Sequence, residues 1–279
     1  MKALLRLVRA AATLPGLRRL TSVKPLLRLS FALRAPLVEP SWRFALNELR
    51  PRDSTRRYRL RGSKVTVALR HHSPDVMVLD EVFAQAEYDL PTEIARALDE
   101  VDVLRVIDLG ANIGLFGALV LKRFPRARLV AVEVDPENAA VHEATIAANP
   151  GADWNLIRGA AGTGQGRAPF VLGRFATSRA AEAREPATEV ETIDVLPLLA
   201  DADFAKIDIE GGEWAILDDP RFRTLEARVI VVEYHAHLCP EPDPGTAAAR
   251  RLEAAGYATE AGNTKPAFGA GLLWGLLRG

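Results

Sequence analysis

The sequence is poor in the residues that mark several common protein classes. Its 279 residues include one cysteine, Cys239, which excludes an intramolecular disulfide framework and a zinc site built from several cysteines. No run approaches the ~18 uncharged apolar residues of a membrane span. The longest uncharged stretch near the N-terminus, residues 10–17, contains Pro15 and Gly16. We therefore expect no cleavable secretory signal and a cytoplasmic protein.

Acidic residues are scarce in the first quarter of the chain. Residues 1–70 contain 17 Lys and Arg against 3 Asp and Glu, whereas residues 71–279 contain 19 against 33. The overall net charge of zero therefore combines a basic segment with an acidic body. This asymmetry predicts either a partner of uneven charge or a basic segment that folds onto its own acidic body.

The basic N-terminal segment, residues 1–52, is predicted to be helical in short pieces because prolines interrupt it repeatedly. The apolar face of its first, amphipathic helix is formed by Leu4, Leu5, Val8 and Ala11. Such a helix either packs on the rest of the protein or contacts an anionic membrane surface peripherally. Trp42 and Phe44 are not part of a regular aromatic and basic pattern, so we expect no nucleic-acid partner.

Residues 53–279 are predicted to form one domain. Two short strands, 58–61 and 64–70, precede a helix over 91–100. From about residue 101, strands are predicted at 104–109, 129–133, 154–158, 204–209, 229–234 and 271–277, with helices at 113–124, 136–148, 245–255 and from 212. This alternation predicts a doubly wound, mostly parallel α/β sheet with helices on both faces. The stretch 159–184 is expected to be a loop-rich insertion.

The first core strand ends in VIDLGANIG, residues 106–114. Gly110 permits a sharp turn and a close backbone approach to a ligand, and Gly114 permits tight helix packing. The spacing is not the G-x-G-x-x-G of dinucleotide sites, and Asp108 would repel a pyrophosphate. An acid at this place suits a ligand with an ammonium group and no phosphate, such as S-adenosylmethionine.

Glu133 stands at the end of the second core strand, 23 residues after Gly110. A carboxylate here can accept hydrogen bonds from both hydroxyls of a ribose. NAD and S-adenosylmethionine both contain such a ribose, so Glu133 alone does not discriminate between them. Asp108 and Glu133 together favour S-adenosylmethionine.

The segment KIDIEGGEWAIL, residues 206–217, contains four charged residues near a strand end. Lys206 and Asp208 alternate with apolar residues and therefore share a face, which directs Asp208 towards the ligand cleft. Glu210 and Glu213 flank two glycines at the start of a helix, where Glu213 is interpreted mainly as a helix cap.

The next strand ends in VVEYHAHL, residues 231–238. In an extended chain Glu233, His235 and His237 lie on one face. Three interpretations remain open: an ordinary polar strand end, a general base or substrate contact at His235, or a metal site.

In this order, these blocks resemble the FkbM family of S-adenosylmethionine-dependent methyltransferases, over roughly residues 58–277. Residues 108–114 match the family's Asp-x-Gly-x-Asn-x-Gly turn, and residues 132–136 keep the acid and last proline of Phe-Glu-Pro-x-Pro. Residues 192–194 correspond to Thr-Leu-Asp, and residues 206–213 match Lys-Ile-Asp-x-Glu-Gly-x-Glu. Glu87 and Tyr88 resemble the segment that precedes the family's core.

The resemblance implies a Rossmann-like sheet of seven strands, as in class I methyltransferases, after an N-terminal helical and β-hairpin extension. It implies S-adenosyl-L-methionine as cofactor and methyl transfer, commonly to a hydroxyl oxygen of a sugar, glycan or secondary metabolite. The residues expected at the cofactor are Tyr88, Asp108, Gly110, Ala111, Asn112, Gly114, Glu133 and Val134. The residues expected to act in catalysis are Asp208, His235, Glu210 and Lys206, and no metal ligand is assigned.

Within this scheme Asp108 holds the methionine end, Glu133 binds the ribose, and Tyr88 covers the cofactor as part of a lid. Asp208 or His235 accepts the proton of the acceptor hydroxyl. Two other functions remain open. A nucleotide-dependent oxidoreductase would need a glycine where Asn112 stands. A non-catalytic membrane-surface module would bind through residues 1–52 alone.

Overall fold

The computed structural model describes residues 24–50, 52–171, 179–180, 187–265 and 269–278. The predicted amphipathic helix that contains Leu4 and Val8 lies outside these ranges. Within them, no helix combines the length and the apolar composition that crossing a bilayer requires.

The chain ahead of the core forms two helices and a small antiparallel sheet. These elements are α1 (Lys24–Ala32), a 3-10 turn (Ala35–Leu37), β1 (Val38–Glu39), α2 (Ser41–Leu49), β2 (Thr55–Leu60) and β3 (Thr66–Arg70). The strand order is β1-β2-β3 with antiparallel pairing throughout. The predicted pair of strands is therefore confirmed, and a short strand from the basic segment extends its edge.

This extension packs on the core of the domain. Phe44 and Tyr58 are buried in the same apolar cluster as Val106 and Phe116. The described part of the basic segment thus lies against the acidic body, which is one of the two arrangements that the charge asymmetry predicts.

The rest of the chain alternates strands and helices. Its helices are α3 (Asp75–Phe83), α4 (Thr92–Asp99), α5 (Leu115–Arg123), α6 (Pro136–Ile146), α7 (Leu196–Ala200), α8 (Glu213–Asp218) and α9 (Pro244–Ala254). Its strands are β4 (Arg105–Leu109), β5 (Arg128–Glu133), β6 (Asp153–Arg158), β7 (Ala160–Gly162), β8 (Gly166–Val171), β9 (Arg179–Ala180), β10 (Thr188–Asp194), β11 (Phe204–Ile207), β12 (Val229–His235), β13 (Tyr257–Lys265) and β14 (Ala270–Leu277).

Seven of these strands form the central sheet, in the order β13-β14-β12-β11-β4-β5-β6. The five strands from β12 to β6 are parallel, and β14 and β13 pair antiparallel at one edge. This arrangement confirms the doubly wound, mostly parallel Rossmann-like sheet. The strand order reverses between β4 and β11, and ligands of such sheets bind beyond the carboxyl ends at that reversal.

Both faces of the sheet are apolar because helices cover both, as parallel sheets require. Val106 and Phe204 belong to the cluster on one face, while Ile107 and Ile207 belong to the cluster on the other. Asp108 and Glu133 lie at or next to the carboxyl ends of β4 and β5, and Asp208 follows the end of β11.

The stretch 159–184 differs from the expected loop-rich insertion. Its described residues include β7, β8 and β9, which join β10 in a four-stranded sheet of order β7-β10-β8-β9. The side chains of β8 and β10 are exposed or only partly buried, so the sequence lacks the apolar alternation that would reveal strands. Strand β13 was not predicted either. It is an edge strand whose mostly polar sequence lacks the apolar alternation of a buried strand, and its pairing with β14 depends on backbone hydrogen bonds.

Candidate active site

An open cleft lies beyond the carboxyl ends of β4, β5 and β11, at the reversal in strand order. About 850 Å³ of space lies within the cleft when the open solvent at its mouth is included. The predicted site residues that line it are Tyr88, Gly110, Ala111, Asn112, Glu133, Val134, Lys206, Asp208 and Glu210. Asp108, Gly114 and His235 contact these residues from behind the lining.

The turn after β4 brings Gly110 against the neighbouring strand. Gly110 has a φ of +74°, and its N–H and that of Ala111 both donate to the Val132 carbonyl at 3.0 Å. A Cβ on Gly110 would lie 1.7 Å from the Asp208 carbonyl oxygen. The sharp turn is as predicted, and the backbone just beyond β11 makes a close approach that by itself demands glycine.

Glu133, at the end of β5, links this turn to the start of α6. Its Oε2 accepts a hydrogen bond from Asn112 N–H and its Oε1 accepts one from Asp135 N–H, both at 2.7 Å. Burial raises the pKa of Glu133 to about 7, although the two backbone donors oppose the rise. Each fixed carboxylate oxygen keeps a further lone pair for a ligand hydroxyl.

Lys206, on β11, places a buried ammonium between the carboxylates of two strand ends. Its Nζ lies 3.2 Å from Asp108 Oδ1 and 3.2 Å from Asp208 Oδ2, and it donates to the Gly110 carbonyl at 3.2 Å. Burial would lower the pKa of Lys206, but the two carboxylates raise it above its usual value. Lys206 therefore fixes the orientation of Asp208 at the cleft.

The two carboxylates around Lys206 differ in their surroundings. Asp108 is buried, and burial raises its pKa in spite of the ammonium. Burial would also raise the pKa of Asp208, but Lys206 and His235 hold it below its usual value. Asp208 is thus the more strongly anionic of the pair, and it is the one that lines the cleft.

His235, the last residue of β12, lies between two glutamates. Its Nδ1 is 3.0 Å from Glu213 Oε1, and its Nε2 is 3.5 Å from Glu210 Oε2. Burial would lower the pKa of His235, but the hydrogen bond to Glu213 and the nearby carboxylates raise it to about 10. Burial and the charge of Asp208 raise the pKa of Glu210 to about 7.

Glu213 is completely buried beneath this histidine. Its carboxylate accepts hydrogen bonds from the N–H groups of Ile209 at 2.9 Å and Gly211 at 2.8 Å. The interpretation of Glu213 as a helix cap is therefore wrong: the cap residue Gly212 has no side-chain hydrogen bond, and Glu213 instead holds the N–H groups of the loop that precedes α8. Its additional contact with His235 had no signal in the sequence, because the two residues lie on different elements.

Tyr88 forms a wall of the cleft from the segment between α3 and α4. Its hydroxyl oxygen is 3.5 Å from Asp208 Oδ2, and its ring meets Phe116 edge-on with centroids 5.1 Å apart. The neighbouring Glu87 is ion-paired with Lys265 of β13 at 2.6 Å. The segment ahead of the core is thereby attached to both the cleft and the sheet edge.

Glu233 and His237 do not join His235 in one group. Glu233 Oε1 accepts a hydrogen bond from Lys265 at 2.9 Å. His237 lies beyond the end of β12, against Gly211, where a Cβ would be 2.7 Å from the imidazole ring. Within the described ranges, His235 instead comes together with Asp208 and Glu210, whose potential ligand atoms all lie within 4.8 Å of one another.

Several residues of the site had no signal in the sequence. Val78 and Val82 of α3 line the cleft, as do Ala160, Ala161 and Phe170 of the four-stranded sheet. These are apolar residues on elements that the topology brings to the cleft from distant parts of the chain. The periodicity of residues 75–83 could have revealed α3, but not its position at the wall of the cleft.

Gly114 has a packing role behind the cleft. Its φ is +86°, and a Cβ there would lie 2.7 Å from the ring of His142 on α6. The tight helix packing predicted for this glycine is therefore confirmed.

Comparisons with known proteins find similarity in the part of the chain that contains most of the cleft. A family model described as a methyltransferase FkbM domain matches residues 108–258. Ribosomal RNA small subunit methyltransferase C of Pseudomonas putida (strain W619) is 35% identical over 75 residues, which are 26% of this chain and 23% of that protein. The chain thus spans less than a quarter of the length of this curated relative.

Two solved structures are among those to which this chain is similar. The methyltransferase FkbM from Methylobacillus flagellatus KT has a TM-score of 0.47 at 14% identity, covering 73% of this chain and 53% of that one. Precorrin-6y C5,15-methyltransferase from Geobacter metallireducens GS-15 has a TM-score of 0.39 at 20% identity, covering 66% of this chain and 87% of that one. The family match itself extends from the end of β4 to the start of β13 and so contains most of the cleft.

Proposed function

The chain belongs to the FkbM methyltransferase family, and from this premise we propose that it transfers a methyl group from S-adenosylmethionine to a hydroxyl oxygen of a sugar, glycan or secondary metabolite. The observation that carries the proposal is the layout of the cleft. Glu133 stands at the end of β5, and Asp208 stands beyond β11 in the same cavity. A ribose-binding carboxylate and a proton acceptor therefore share one cavity.

The chemistry of the cleft fits S-adenosylmethionine better than a nucleotide with phosphates. Lys206 is the only basic side chain among the described lining residues, and two carboxylates already engage it. A pyrophosphate would thus meet acids without a free cation. Among the described residues, Asp108 Oδ2 and Asn112 Oδ1 are buried acceptors without a hydrogen-bond donor, which suits a ligand rich in N–H groups.

We assign cofactor binding to the turn after β4 and the end of β5. Glu133 would accept the ribose hydroxyls, while Ala111 and Asn112 would flank the ligand and Val134 would supply an apolar contact. Asp108 would attract the ammonium of the methionine end across the turn. When bound, S-adenosylmethionine supplies a methyl group on a positively charged sulfur.

Asp208 is the proposed proton acceptor. An alcohol is a weak nucleophile, so a base must take its proton as the new bond forms. Asp208 faces the cleft, whereas both ring nitrogens of His235 face glutamates. Lys206 is assigned a positioning role because its buried ammonium lies 3.2 Å from Asp208 Oδ2 and orients that carboxylate.

The experiment for this function has two parts. Calorimetric titration with S-adenosylmethionine and NAD separately tests the cofactor, and binding of NAD alone would contradict the proposal. Incubation with cofactor labelled in its methyl group, against a panel of glycans, lipids, hydroxylated metabolites and RNA, then identifies the acceptor. Label on an oxygen of a glycan or metabolite is the expected result, and label on RNA alone would refute the assignment.

The surface of the basic N-terminal extension supports a proposal about where the protein is located in the cell. Trp42, Leu46 and Leu49 are exposed on one side of α2, where their spacing follows the helical period. Leu29 on α1 and Leu33 just after α1 are also exposed. The segment around them is rich in arginine. Apolar side chains among cations complement an anionic lipid surface, so we propose peripheral membrane contact through this extension.

A further inference from the structure

We propose that Asp208, Glu210 and His235 form a binding site for one divalent cation at the acceptor end of the cleft. Each side chain offers one potential ligand atom, and these atoms all lie within 4.8 Å of one another. The three residues come from the end of β11, the loop that follows it and the end of β12. Two carboxylate oxygens and one imidazole nitrogen suit Mn²⁺ better than Mg²⁺, which prefers oxygen ligands, and water or substrate would fill the remaining positions.

The orientation of His235 gives independent support. A metal-binding histidine usually donates its second ring N–H to a carboxylate, which fixes the tautomer and aims the other nitrogen. Glu213 occupies that place, 3.0 Å from His235 Nδ1, and two backbone N–H groups hold its buried carboxylate. Nε2 consequently faces Glu210, where a cation would bind.

The balance of charges around the cleft also favours a bound cation. Lys206 is shared by Asp108 and Asp208, and Lys265 is shared by Glu87 and Glu233. The third group, His235, lies between Glu210 and Glu213. Each described cationic or imidazole group here thus serves two carboxylates, which leaves an excess of negative charge. A divalent cation beside Asp208 and Glu210 would reduce that excess.

The chemical role of the cation rests on the proposed function. A cation at this place would hold the acceptor's hydroxyl oxygen and lower the pKa of that hydroxyl. The oxygen then forms its bond to the methyl carbon as the carbon–sulfur bond breaks, and the sulfur leaves as a neutral thioether. The proton passes to the second carboxylate oxygen of Asp208, since each ligand uses only one atom. Asp208 therefore serves as both ligand and base.

The test is binding of Mn²⁺ to the full chain after treatment with EDTA and desalting. Calorimetry and the loss of the free Mn²⁺ electron paramagnetic resonance signal should both report one ion per chain, with competition by Mg²⁺. Glu210→Gln and His235→Gln should each weaken Mn²⁺ binding by about tenfold or more. The matched control His237→Ala changes a nearby histidine outside the group and should retain binding. Circular dichroism and thermal melting establish that each variant is folded.

Two outcomes would overturn the site: no Mn²⁺ binding at millimolar concentration, or equal binding by wild type and both glutamine variants. The second outcome would identify the cluster as an ion pair of His235 with its glutamates. Failure of the proposed function gives a different pattern. Full methyl transfer in EDTA would reject the cation and keep the function, whereas Mn²⁺ binding at the three residues with no transfer to any acceptor would keep the site and reject the function.

Discussion

The ammonium of Lys206 lies 3.2 Å from Asp208 Oδ2, two residues along the same segment of chain. The same ammonium lies 3.2 Å from Asp108 on the adjacent strand, so one buried cation joins the strand ends on both sides of the reversal in strand order. This contact ties the proposed base to the proposed cofactor turn, and it makes both sensitive to a single substitution.

Replacing Lys206 with methionine should destabilise the protein by about 3–5 kcal/mol, because the buried carboxylate of Asp108 and the half-buried carboxylate of Asp208 lose their common partner. Urea unfolding measures the change. Lys64→Met, at an exposed lysine, is the matched control and should alter the free energy of unfolding by less than about 0.5 kcal/mol. Equal stability of the two variants would show that the buried ion pair contributes nothing.

Gly110→Ala should be far more disruptive than Gly62→Ala. Both glycines have positive φ, +74° and +70°, so both substitutions carry the left-handed backbone cost of about 1–2 kcal/mol. A Cβ at Gly110 would also lie 1.7 Å from the Asp208 carbonyl, whereas a Cβ at Gly62 meets nothing within 4 Å. Overpacking adds about 1–3 kcal/mol or more. Thermal melting of the pair should therefore differ by several degrees, and identical melting would contradict the close approach.

Glu133→Gln should weaken S-adenosylmethionine binding by about tenfold or more, because an ionised acceptor is replaced by an amide. Glu137→Gln, at an exposed glutamate nearby on α6, should bind normally. Burial raises the pKa of Glu133 to about 7, so its carboxylate gains a proton as the pH falls through that value. Wild-type affinity should therefore fall between pH 8 and 6 while that of Glu133→Gln stays flat, as calorimetry can check. A parallel decline in both proteins would assign the pH dependence to another group.

The raised pKa of Glu133 also affects the stability of the fold. Its contribution to stability is larger at low pH, whereas its contribution to cofactor affinity is larger at high pH. The folded state holds the Glu133 proton up to a pH of about 7, whereas an unfolded glutamate releases it near its ordinary value of 4.5. Folding is therefore favoured by this group at low pH, and the contribution is lost as the pH rises through that interval. Unfolding measured at pH 5 and pH 7.5 should show a smaller difference in Glu133→Gln than in wild type.

Asp208→Asn should reduce the rate of methyl transfer by about 10²–10⁴-fold, the usual range for loss of a general base. Its affinity for S-adenosylmethionine should remain close to that of wild type, because the proposed cofactor contacts lie on β4 and β5. Asp201→Asn, at an exposed aspartate near the start of β11, controls for the loss of a carboxylate. If Asp208→Asn and His235→Ala both left turnover intact, neither residue would be the proton acceptor.

The triple substitution of Trp42, Leu46 and Leu49 by glutamine should reduce binding to vesicles containing phosphatidylserine by about tenfold or more, since three exposed apolar side chains no longer enter the lipid. Met77→Gln, which changes an exposed apolar residue on α3, should bind as wild type does. Sedimentation with vesicles at two salt concentrations measures both effects. Equal binding to vesicles of phosphatidylcholine alone would contradict the anionic preference.

The local part of the site was predictable because it depends on short stretches of sequence. Alternation placed Lys206 and Asp208 on one face, and the two charged groups do lie together. The turn after Asp108 and the acid at Glu133 also follow from residues close together in the chain. In contrast, the close approach of the Asp208 backbone to Gly110 had no signal in the sequence, because Asp208 lies far along the chain.

The pairing of His235 illustrates what residue spacing alone cannot supply. Sequence spacing grouped His235 with Glu233 and His237, since all three would share a face in an extended strand. The strand ends at His235, and Glu233 turns to Lys265 at the sheet edge. His235 meets Glu213 and Glu210 because β11 and β12 are neighbours in the sheet and the loop after β11 returns beside the end of β12.

The sequence by itself determined the class of fold, the turn after β4 and the charged residues at each strand end, since apolar periodicity and local motifs act within a few residues. The sequence also identified the family, through motifs that contain the proposed cofactor residues. Only the tertiary structure decided which charges meet: Lys206 with Asp108, His235 with Glu213, and Lys265 with Glu87. Each of these contacts depends on strand order and loop path, which bring together groups far apart in the chain and place them where water screens their charge less than at the open surface.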